Sequence, residues 1–191
     1  PCAPPGDRHA AAPGRACAQA GAAPLLAAGP FPVLIYAPGW GEAKTDNSIR
    51  LANLASYGFV IVAIDDIGID ARAGSVDPEG VRAHMNFDWS TEPSLTRSLA
   101  SAEWRLQKMT ARVSTAMNAI EQLEKKPAPW VLRGTLDLSR VAMLGYSFGG
   151  STAMEMLHVD SRFAAAINLD GWHFGRSKQN SSPKPALVLN S

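Results

Sequence analysis

The sequence predicts an α/β protein, a three-layer α/β/α sandwich built on a mainly parallel sheet. Short apolar runs alternate along the chain with segments of helical periodicity, and the clearest run covers residues 59–64. Runs that are apolar on both faces are typical of strands in a parallel sheet that helices cover on each side. A glycine-rich turn at residues 145–150 follows one such run and opens a helical segment, which is the strand–turn–helix order of this fold class.

The first half of the chain contains two predicted strands with a helix between them. Residues 33–36 form the first strand, and apolar residues at helical spacing follow over residues 49–55 until Gly58 ends the helix. Residues 59–64 form the second strand. The stretch from residue 65 to residue 93 has mixed polarity and no sustained period, so it is predicted to be a long loop.

The second half contains a long helix and three more strands. Apolar residues recur every three or four positions over residues 95–120, and Pro127 and Pro129 end this helix. The later strands are predicted at residues 141–144, 163–169 and 186–189, with a helix at residues 151–157. Polar residues follow these strands at the carboxyl edge of the sheet, where open α/β sheets bind ligands.

The composition excludes several classes of partner. The chain has 191 residues, 46% of them hydrophobic and 18% charged, with a net charge of +1 and no cluster of Lys or Arg. This charge distribution gives no indication of a nucleic-acid-binding surface. No apolar run approaches the roughly 20 residues that span a bilayer. A small-molecule partner is therefore expected, while the oligomeric state is left open.

The N-terminal stretch differs in amino-acid composition from the rest of the chain. Residues 1–29 are rich in Pro, Ala and Gly and are predicted to be a flexible segment, whereas residues 30–191 form the α/β domain. Cys2 and Cys17 lie in the flexible segment, where a disulfide and two free thiols are both open. Because the sequence begins at Pro1 rather than Met, secreted and cytoplasmic locations are both open.

The glycine-rich turn predicts a catalytic serine. Ser147 lies in a Gly-x-Ser-x-Gly pattern between Gly145 and Gly149. A serine hydroxyl is a weak nucleophile until a base takes its proton, and a sharp strand-to-helix turn exposes it for attack on an ester. Such a turn crowds strand against helix, so the positions two before and two after the serine must be nearly free of side chains. The alternative is a glycine-rich structural turn.

In this setting the turn resembles that of the α/β-hydrolase superfamily, and further segments resemble platelet-activating factor acetylhydrolases. The similar segments are residues 31–41 and 54–60 and, more closely, residues 145–152, Arg162-Phe163 and Leu169-Asp170-Gly171-Trp172. The chain departs from the family pattern at Tyr146 and Pro38, where the family usually has histidine. Neither departure removes a reacting group, but both flank the pocket and leave substrate preference open.

The mechanism and the resemblance together imply a set of site residues. Ser147 is the expected nucleophile, and the backbone N–H of the following residue, Phe148, is one oxyanion donor. The resemblance implies Trp40 as the second donor and Asp170 as the acid that orients a histidine. An ordinary strand-ending turn and a helix-cap aspartate are the respective alternatives. The residues expected to flank the substrate are Gly39, Tyr146, Trp172 and His173.

The catalytic histidine has no obvious place in the sequence. The superfamily order is serine, acid, histidine, and the only histidine after Asp170 is His173, three residues further on. We therefore expect a fold truncated at both ends, with an incomplete C-terminus and the base beyond Ser191.

The resulting expectation is a serine carboxylic-ester hydrolase that works through an acyl-enzyme without metal or organic cofactor. The resemblance implies release of short acyl groups, as in a 1-alkyl-2-acetylglycerophosphocholine esterase, from a small-molecule ester or a phospholipid. The alternatives are a cutinase-like polyester or lipid hydrolase and a catalytically silent α/β-hydrolase fragment that lacks its histidine.

Overall fold

The computed structural model describes residues 21–24, 28–65, 91–126, 130–182 and 184–191. Several expectations concern residues outside these ranges. They are the pairing of Cys2 and Cys17, the flexibility of most of residues 1–29, and the predicted loop over residues 66–90.

Five strands form one parallel sheet, which confirms the predicted fold class. The strands lie in the order β2–β1–β3–β4–β5, and every neighbouring pair is parallel. Their bounds are β1 Phe31–Ala37, β2 Val60–Ala63, β3 Leu136–Tyr146, β4 Phe163–Leu169 and β5 Ala186–Leu189.

Strand β3 begins earlier than the apolar run predicted. The prediction covered residues 141–144, whereas β3 begins at Leu136. Its first residues pair with the start of β1, after which the register shifts, so that Pro32 pairs with Asp137 but Val33 pairs with Val141. Polar residues in this irregular stretch interrupt the apolar pattern, so the start of the strand could not be predicted from an apolar run.

Helices cover both faces of the sheet. They are α1 Ser48–Ser56, α2 Glu92–Lys125 and α3 Phe148–Val159, and a short 3₁₀ helix covers Gly175–Lys178. Val33 and Ile35 of β1 face one core with buried residues of α2 and α3, and Leu34 and Tyr36 face a second core with Leu51 of α1. This alternation of side chains along β1 produces the three layers.

Helix α2 begins inside the segment predicted to be a loop. Thr91 caps it, since its hydroxyl oxygen accepts a hydrogen bond from the Ser94 N–H at 3.4 Å, and Pro93 lies in the first turn. Proline fits there because first-turn N–H groups have no partner within the helix. The proline therefore marks the helix start rather than the loop.

The strand order creates a gap at the carboxyl edge of the sheet. β1 and β3 are neighbours in the sheet, yet β1 leads to α1 on one face and β3 leads to α3 on the other. Chain segments that leave adjacent strands toward opposite faces open a crevice between them, which is the usual ligand position in such sheets. The segment after β1 carries Gly39 and Trp40, and the segment after β3 carries Ser147.

Candidate active site

Ser147 occupies a strained turn between β3 and α3. Its backbone has φ 50° and ψ −118°, in the left-handed half of conformational space that non-glycine residues rarely adopt. Such a conformation costs on the order of 1–3 kcal/mol and persists only where its surroundings fix it. Here the Ser147 N–H donates to the Leu169 carbonyl at 2.7 Å, and the Ser147 carbonyl accepts from Gly150 at 2.9 Å and Ser151 at 3.2 Å.

The two flanking glycines are needed for contact between backbones. A Cβ on Gly145 would lie 1.9 Å from the Gly149 carbonyl oxygen, and a Cβ on Gly149 would lie 2.1 Å from the Ala37 carbonyl oxygen. Both distances are far below any real carbon–oxygen contact. The crowding predicted from the glycine spacing is therefore present.

The turn after β1 lies directly against Ser147. Gly39 is buried, and a Cβ placed on it would lie 3.3 Å from the Ser147 Cβ. The Glu42 carboxylate holds this turn, because its Oε2 accepts from the Gly39 N–H at 2.9 Å while the Glu42 N–H donates to the Gly39 carbonyl at 3.0 Å. No pattern in the sequence identifies Glu42, because its role depends on the fold of the turn.

An aromatic cluster connects the two proposed oxyanion donors. The Trp40 ring meets the Phe148 ring edge to face, with centroids 5.2 Å apart, and Phe174 lies 5.9 Å from Phe148. The buried Arg105 guanidinium of α2 lies 4.5 Å from the Trp40 ring centre, within cation–π range. The Phe148 N–H is at the first position of α3, where no carbonyl of the helix reaches it.

A cleft of about 190 Å³ opens beside Ser147. Most of the residues predicted for the site line it, and four of the lining residues are aromatic. The lining consists of Trp40, Ser147, Phe148, Ser151, Asp170, Trp172 and Phe174.

The other predicted substrate-flanking residues lie elsewhere. Gly39 is adjacent to Ser147, as described, but Tyr146 is a half-buried residue at the end of β3 and His173 is exposed. Neither of these two is among the residues that line the cleft. Ser151 and Phe174 were not predicted; the spacing of Ser151, one helical turn after Ser147, is the signal that could have identified it.

Asp170 lies at the mouth of the cleft in a second strained turn. Its φ is 59°, and its N–H donates to the Leu189 carbonyl at 2.7 Å. Its carboxylate accepts from the Ser191 N–H at 3.1 Å and from the Ser191 hydroxyl at 2.8 Å, and these bonds lower the pKa of Asp170 below its ordinary value. The group is therefore a carboxylate at neutral pH.

Asn168 fixes the turn that carries Asp170. Its side chain is fully buried, with Oδ1 accepting from the Gly171 N–H at 2.8 Å and Nδ2 donating to the Gly171 carbonyl at 2.9 Å. Gly171 therefore supplies a hydrogen-bond partner to both the carbonyl and the amino group of the Asn168 side chain, and these two bonds close the turn around Asp170. The sequence did not identify this role.

Two glutamates hold the following segment against the helices. The Gly175 N–H donates to Glu103 of α2 at 3.0 Å, and the Ser177 N–H donates to Glu155 of α3 at 3.0 Å. Because Trp172 and Phe174 precede these two contacts, the carboxylates position one wall of the cleft.

The described histidines do not reach the cleft lining. His158 lies in the last turn of α3, and His173 is exposed. His9 and His84 lie outside the described residues. The placement of the base beyond Ser191 therefore stays a prediction.

The described ranges offer two further observations. None of their helices combines the length and apolar character that crossing a membrane requires. Their His, Cys, Asp and Glu side chains include no group of three or more that could hold a metal ion. The cleft lining itself contains the Ser147 and Ser151 hydroxyls and the Asp170 carboxylate.

Comparisons with known proteins identify the family. The model of the family "Platelet-activating factor acetylhydrolase, isoform II" matches residues 14–191. The platelet-activating factor acetylhydrolase of Cavia porcellus is 28% identical over 181 residues, covering 88% of this chain and 42% of the relative. A probable 1-alkyl-2-acetylglycerophosphocholine esterase of Arthroderma benhamiae is 26% identical over 147 residues, covering 76% and 32%.

A solved structure supports the fold assignment. The ferulic acid esterase from Streptomyces cinnamoneus is 21% identical with a TM-score of 0.57, covering 84% of this chain and 42% of that one. The chain thus spans less than half the length of these relatives. With residues 14–191 matched, the chain belongs to the platelet-activating factor acetylhydrolase, isoform II family and has its α/β-hydrolase fold.

Proposed function

We propose that this chain carries the nucleophile half of a serine carboxylic-ester hydrolase that forms an acyl-enzyme on Ser147. The observation that carries the proposal is the strained Ser147, at φ 50°, in a cleft that also contains the Asp170 carboxylate and the turns of Trp40 and Phe148. The match to platelet-activating factor acetylhydrolases supports an acetylhydrolase-like activity on a small ester or a phospholipid.

The reaction begins when the Ser147 hydroxyl oxygen attacks the ester carbonyl carbon while a base takes the hydroxyl proton. The carbonyl oxygen becomes an oxyanion, which the N–H groups of Trp40 and Phe148 bind. Each donor of this kind contributes about 2.7–4 kcal/mol to stabilising the transition state. The leaving alcohol departs with a proton, and water then releases the acid and restores Ser147.

Asp170 is proposed to orient the histidine base. Its lowered pKa keeps it ionised, and a carboxylate that accepts the Nδ1–H of a histidine leaves Nε2 free to act as the base. The hydrogen bonds from Ser191 occupy both carboxylate oxygens, so a histidine must share or replace one of them. The histidine itself is predicted beyond Ser191.

The size of the cleft supports short acyl groups. At about 190 Å³ it is smaller than the roughly 300–1,000 Å³ of sites for drug-sized ligands. Its aromatic walls suit an acetyl or similar group, whereas a cutinase-like hydrolase needs room for long chains. We propose acetyl over long-chain esters on this basis.

The test uses a fluorophosphonate probe and a series of nitrophenyl esters from acetate to palmitate. We expect Ser147→Ala to abolish labelling and Asp170→Asn to lower kcat on the order of 10⁴-fold, as loss of the orienting acid does in serine hydrolases. The matched controls are Ser56→Ala, an exposed hydroxyl of α1, and Asp137→Asn, a half-buried carboxylate of β3 that does not line the cleft; both should keep full activity.

Other outcomes separate the alternatives. A folded sample that the probe does not label and that does not hydrolyse the acetate ester would support the catalytically silent fragment. The main argument for that alternative is that the described histidines do not line the cleft. A strong preference for palmitate would support the cutinase-like hydrolase instead.

A further inference from the structure

We propose that Ser151 selects acyl groups that carry an ether or hydroxyl oxygen on the carbon next to the ester carbonyl. This inference rests on the proposed ester hydrolysis and deepens it by naming the class of acyl group. Its starting observation is a second hydroxyl in the lining of the same cleft as Ser147.

The Ser151 hydroxyl is buried without a hydrogen-bond partner. The residue is 1% exposed, and its Oγ has no partner among the described residues. The neighbouring Thr152 shows the usual solution for a helix hydroxyl, since its Oγ1 donates to the Phe148 carbonyl at 3.0 Å. A buried hydroxyl that lacks such a bond is costly unless a ligand or a water supplies the partner.

The surroundings make this hydroxyl distinctive. Apart from Ser147 and Asp170, the other residues that line the cleft are aromatic. Their ring faces are weak hydrogen-bond acceptors at best. A polar atom of the bound substrate is then the natural partner.

The two serines are about one helical turn apart, and both line the cleft. Ser147 is the N-cap residue of α3, and Ser151 lies about one helical turn after it, since the Ser151 N–H donates to the Ser147 carbonyl at 3.2 Å. The carbonyl carbon is bonded to the Ser147 oxygen, so an atom two bonds further along the acyl chain is the one that reaches toward Ser151. Oxygen at that atom accepts the Ser151 O–H, whereas a methylene leaves the hydroxyl unpaired.

A single-atom comparison tests the proposal. The nitrophenyl esters of methoxyacetic and butyric acid differ only by oxygen or methylene at this position. We expect Ser151→Ala to lower the ratio of their kcat/KM values roughly threefold to tenfold, the effect of one neutral hydrogen bond. Ser151→Cys, which keeps the size but donates weakly, should lower it similarly. Intrinsic ester reactivity cancels because each variant is compared with the parent protein.

Thr152→Val is the matched control. It removes an adjacent buried hydroxyl that already has a partner and does not line the cleft, so the ratio should not move. If the ratio of kcat/KM values and the melting temperature were both unchanged in the two Ser151 variants, the proposal would be overturned. A fixed water would then be the hydrogen-bond partner of the Ser151 hydroxyl. That result would not affect the assignment of ester hydrolysis.

A binding measurement distinguishes failure of the activity from failure of this inference. If no ester is hydrolysed, the proposed function fails, and saturation-transfer NMR with methoxyacetamide and butyramide decides the role of Ser151. Stronger binding of methoxyacetamide that Ser151→Ala abolishes supports the selection. Equal binding of the two amides overturns it.

Discussion

Strain in the backbone is concentrated at the cleft. Among the described residues, Ser147 and Asp170 are the only non-glycine residues with positive φ, at 50° and 59°. Both lie in the cleft lining, and both donate their N–H to the carbonyl of a strand end, Leu169 and Leu189 respectively. Two independent turns that the fold holds in costly conformations around one cleft are typical of a functional site.

The first prediction concerns Gly149, where a side chain meets the backbone of the Trp40 turn. A Cβ would lie 2.1 Å from the Ala37 carbonyl oxygen and 2.5 Å from the Pro38 carbonyl oxygen. We expect Gly149→Ala to lower the free energy of unfolding by about 3 kcal/mol, at the upper end of overpacking effects, because two backbone segments must separate. Urea unfolding measures this change.

Gly134→Ala provides the control for Gly149→Ala. Gly134 has φ 75° but open space around it, so a side chain there meets strain without collision. The expected loss is about 1–2 kcal/mol. If the two substitutions were equally destabilising, the close approach of α3 to the β1 turn would not be the cause.

At the scale of elements, the segment after β4 forms one wall of the cleft. It carries Asp170, Trp172 and Phe174, and it is tied to helices on one face of the sheet by Glu103 and Glu155. Trp172 is 61% exposed, so packing does little to hold its side chain. The position of this wall therefore depends on hydrogen bonds to carboxylates as well as on the burial of Phe174.

The second prediction therefore concerns Glu155. Its side chain is 6% exposed and accepts the Ser177 N–H at 3.0 Å. We expect Glu155→Ala to lower the free energy of unfolding by about 2 kcal/mol, since a hydrogen bond to a charged group is lost. It should also raise the KM for short esters more than it lowers kcat, because the wall moves while Ser147 does not.

Glu155→Gln tests whether the hydrogen bond is responsible. The glutamine carbonyl can still accept the Ser177 N–H, so KM should return most of the way to the parent value. A glutamine variant as impaired as the alanine variant would point to the charge of Glu155 instead.

The sequence predicted the parts of this site that depend on local patterns. Apolar runs identified the core of each strand, and the spacing of Gly145 and Gly149 identified Ser147. The early start of β3 was missed because its register shift and polar residues break the apolar pattern.

Residues that act across the fold could not be predicted in the same way. Asn168 and Glu155 matter because a turn folds back onto them, and Ser151 matters because its hydroxyl lacks a partner. These properties depend on tertiary contacts that no spacing in the sequence encodes. The catalytic roles of Ser147 and Asp170 stay predictions until they are tested.

At the scale of the whole molecule, a charged cluster joins three elements on the side of the sheet that α2 and α3 cover. Asp160 follows α3, and Arg162 precedes β4; the Arg162 Nη2 donates to the Asp160 Oδ2 at 2.5 Å and its Nε donates to Oδ1 at 2.9 Å. Helix α2 joins through Ser114, whose hydroxyl donates to Asp160 at 2.9 Å, and through Asn118, which accepts from Arg162 at 2.7 Å. The cluster fixes the end of α3 against α2.

The last prediction is a pH dependence of stability that arises from this cluster. Hydrogen bonds from Arg162, and then from Ser114, lower the pKa of Asp160 from 3.8 to about 2. A folded-state pKa below the unfolded value means that the stabilisation is fully present above about pH 4 and is lost as the pH falls through about 2. At about 1.4 kcal/mol per pKa unit, the contribution is about 2 kcal/mol, and the side chain is buried enough for screening to be small.

We therefore expect Asp160→Asn to be less stable than the parent protein by about 2 kcal/mol at neutral pH, with the gap closing between pH 4 and pH 2. Urea unfolding of both proteins across this range measures the gap directly, and comparing the two removes the titration of other carboxylates. Asp46→Asn is the control, because that carboxylate is exposed to solvent, where ion pairs and hydrogen bonds contribute little to stability. Parallel stability curves for Asp160→Asn and the parent protein would show that the cluster positions α3 without stabilising the fold through charge.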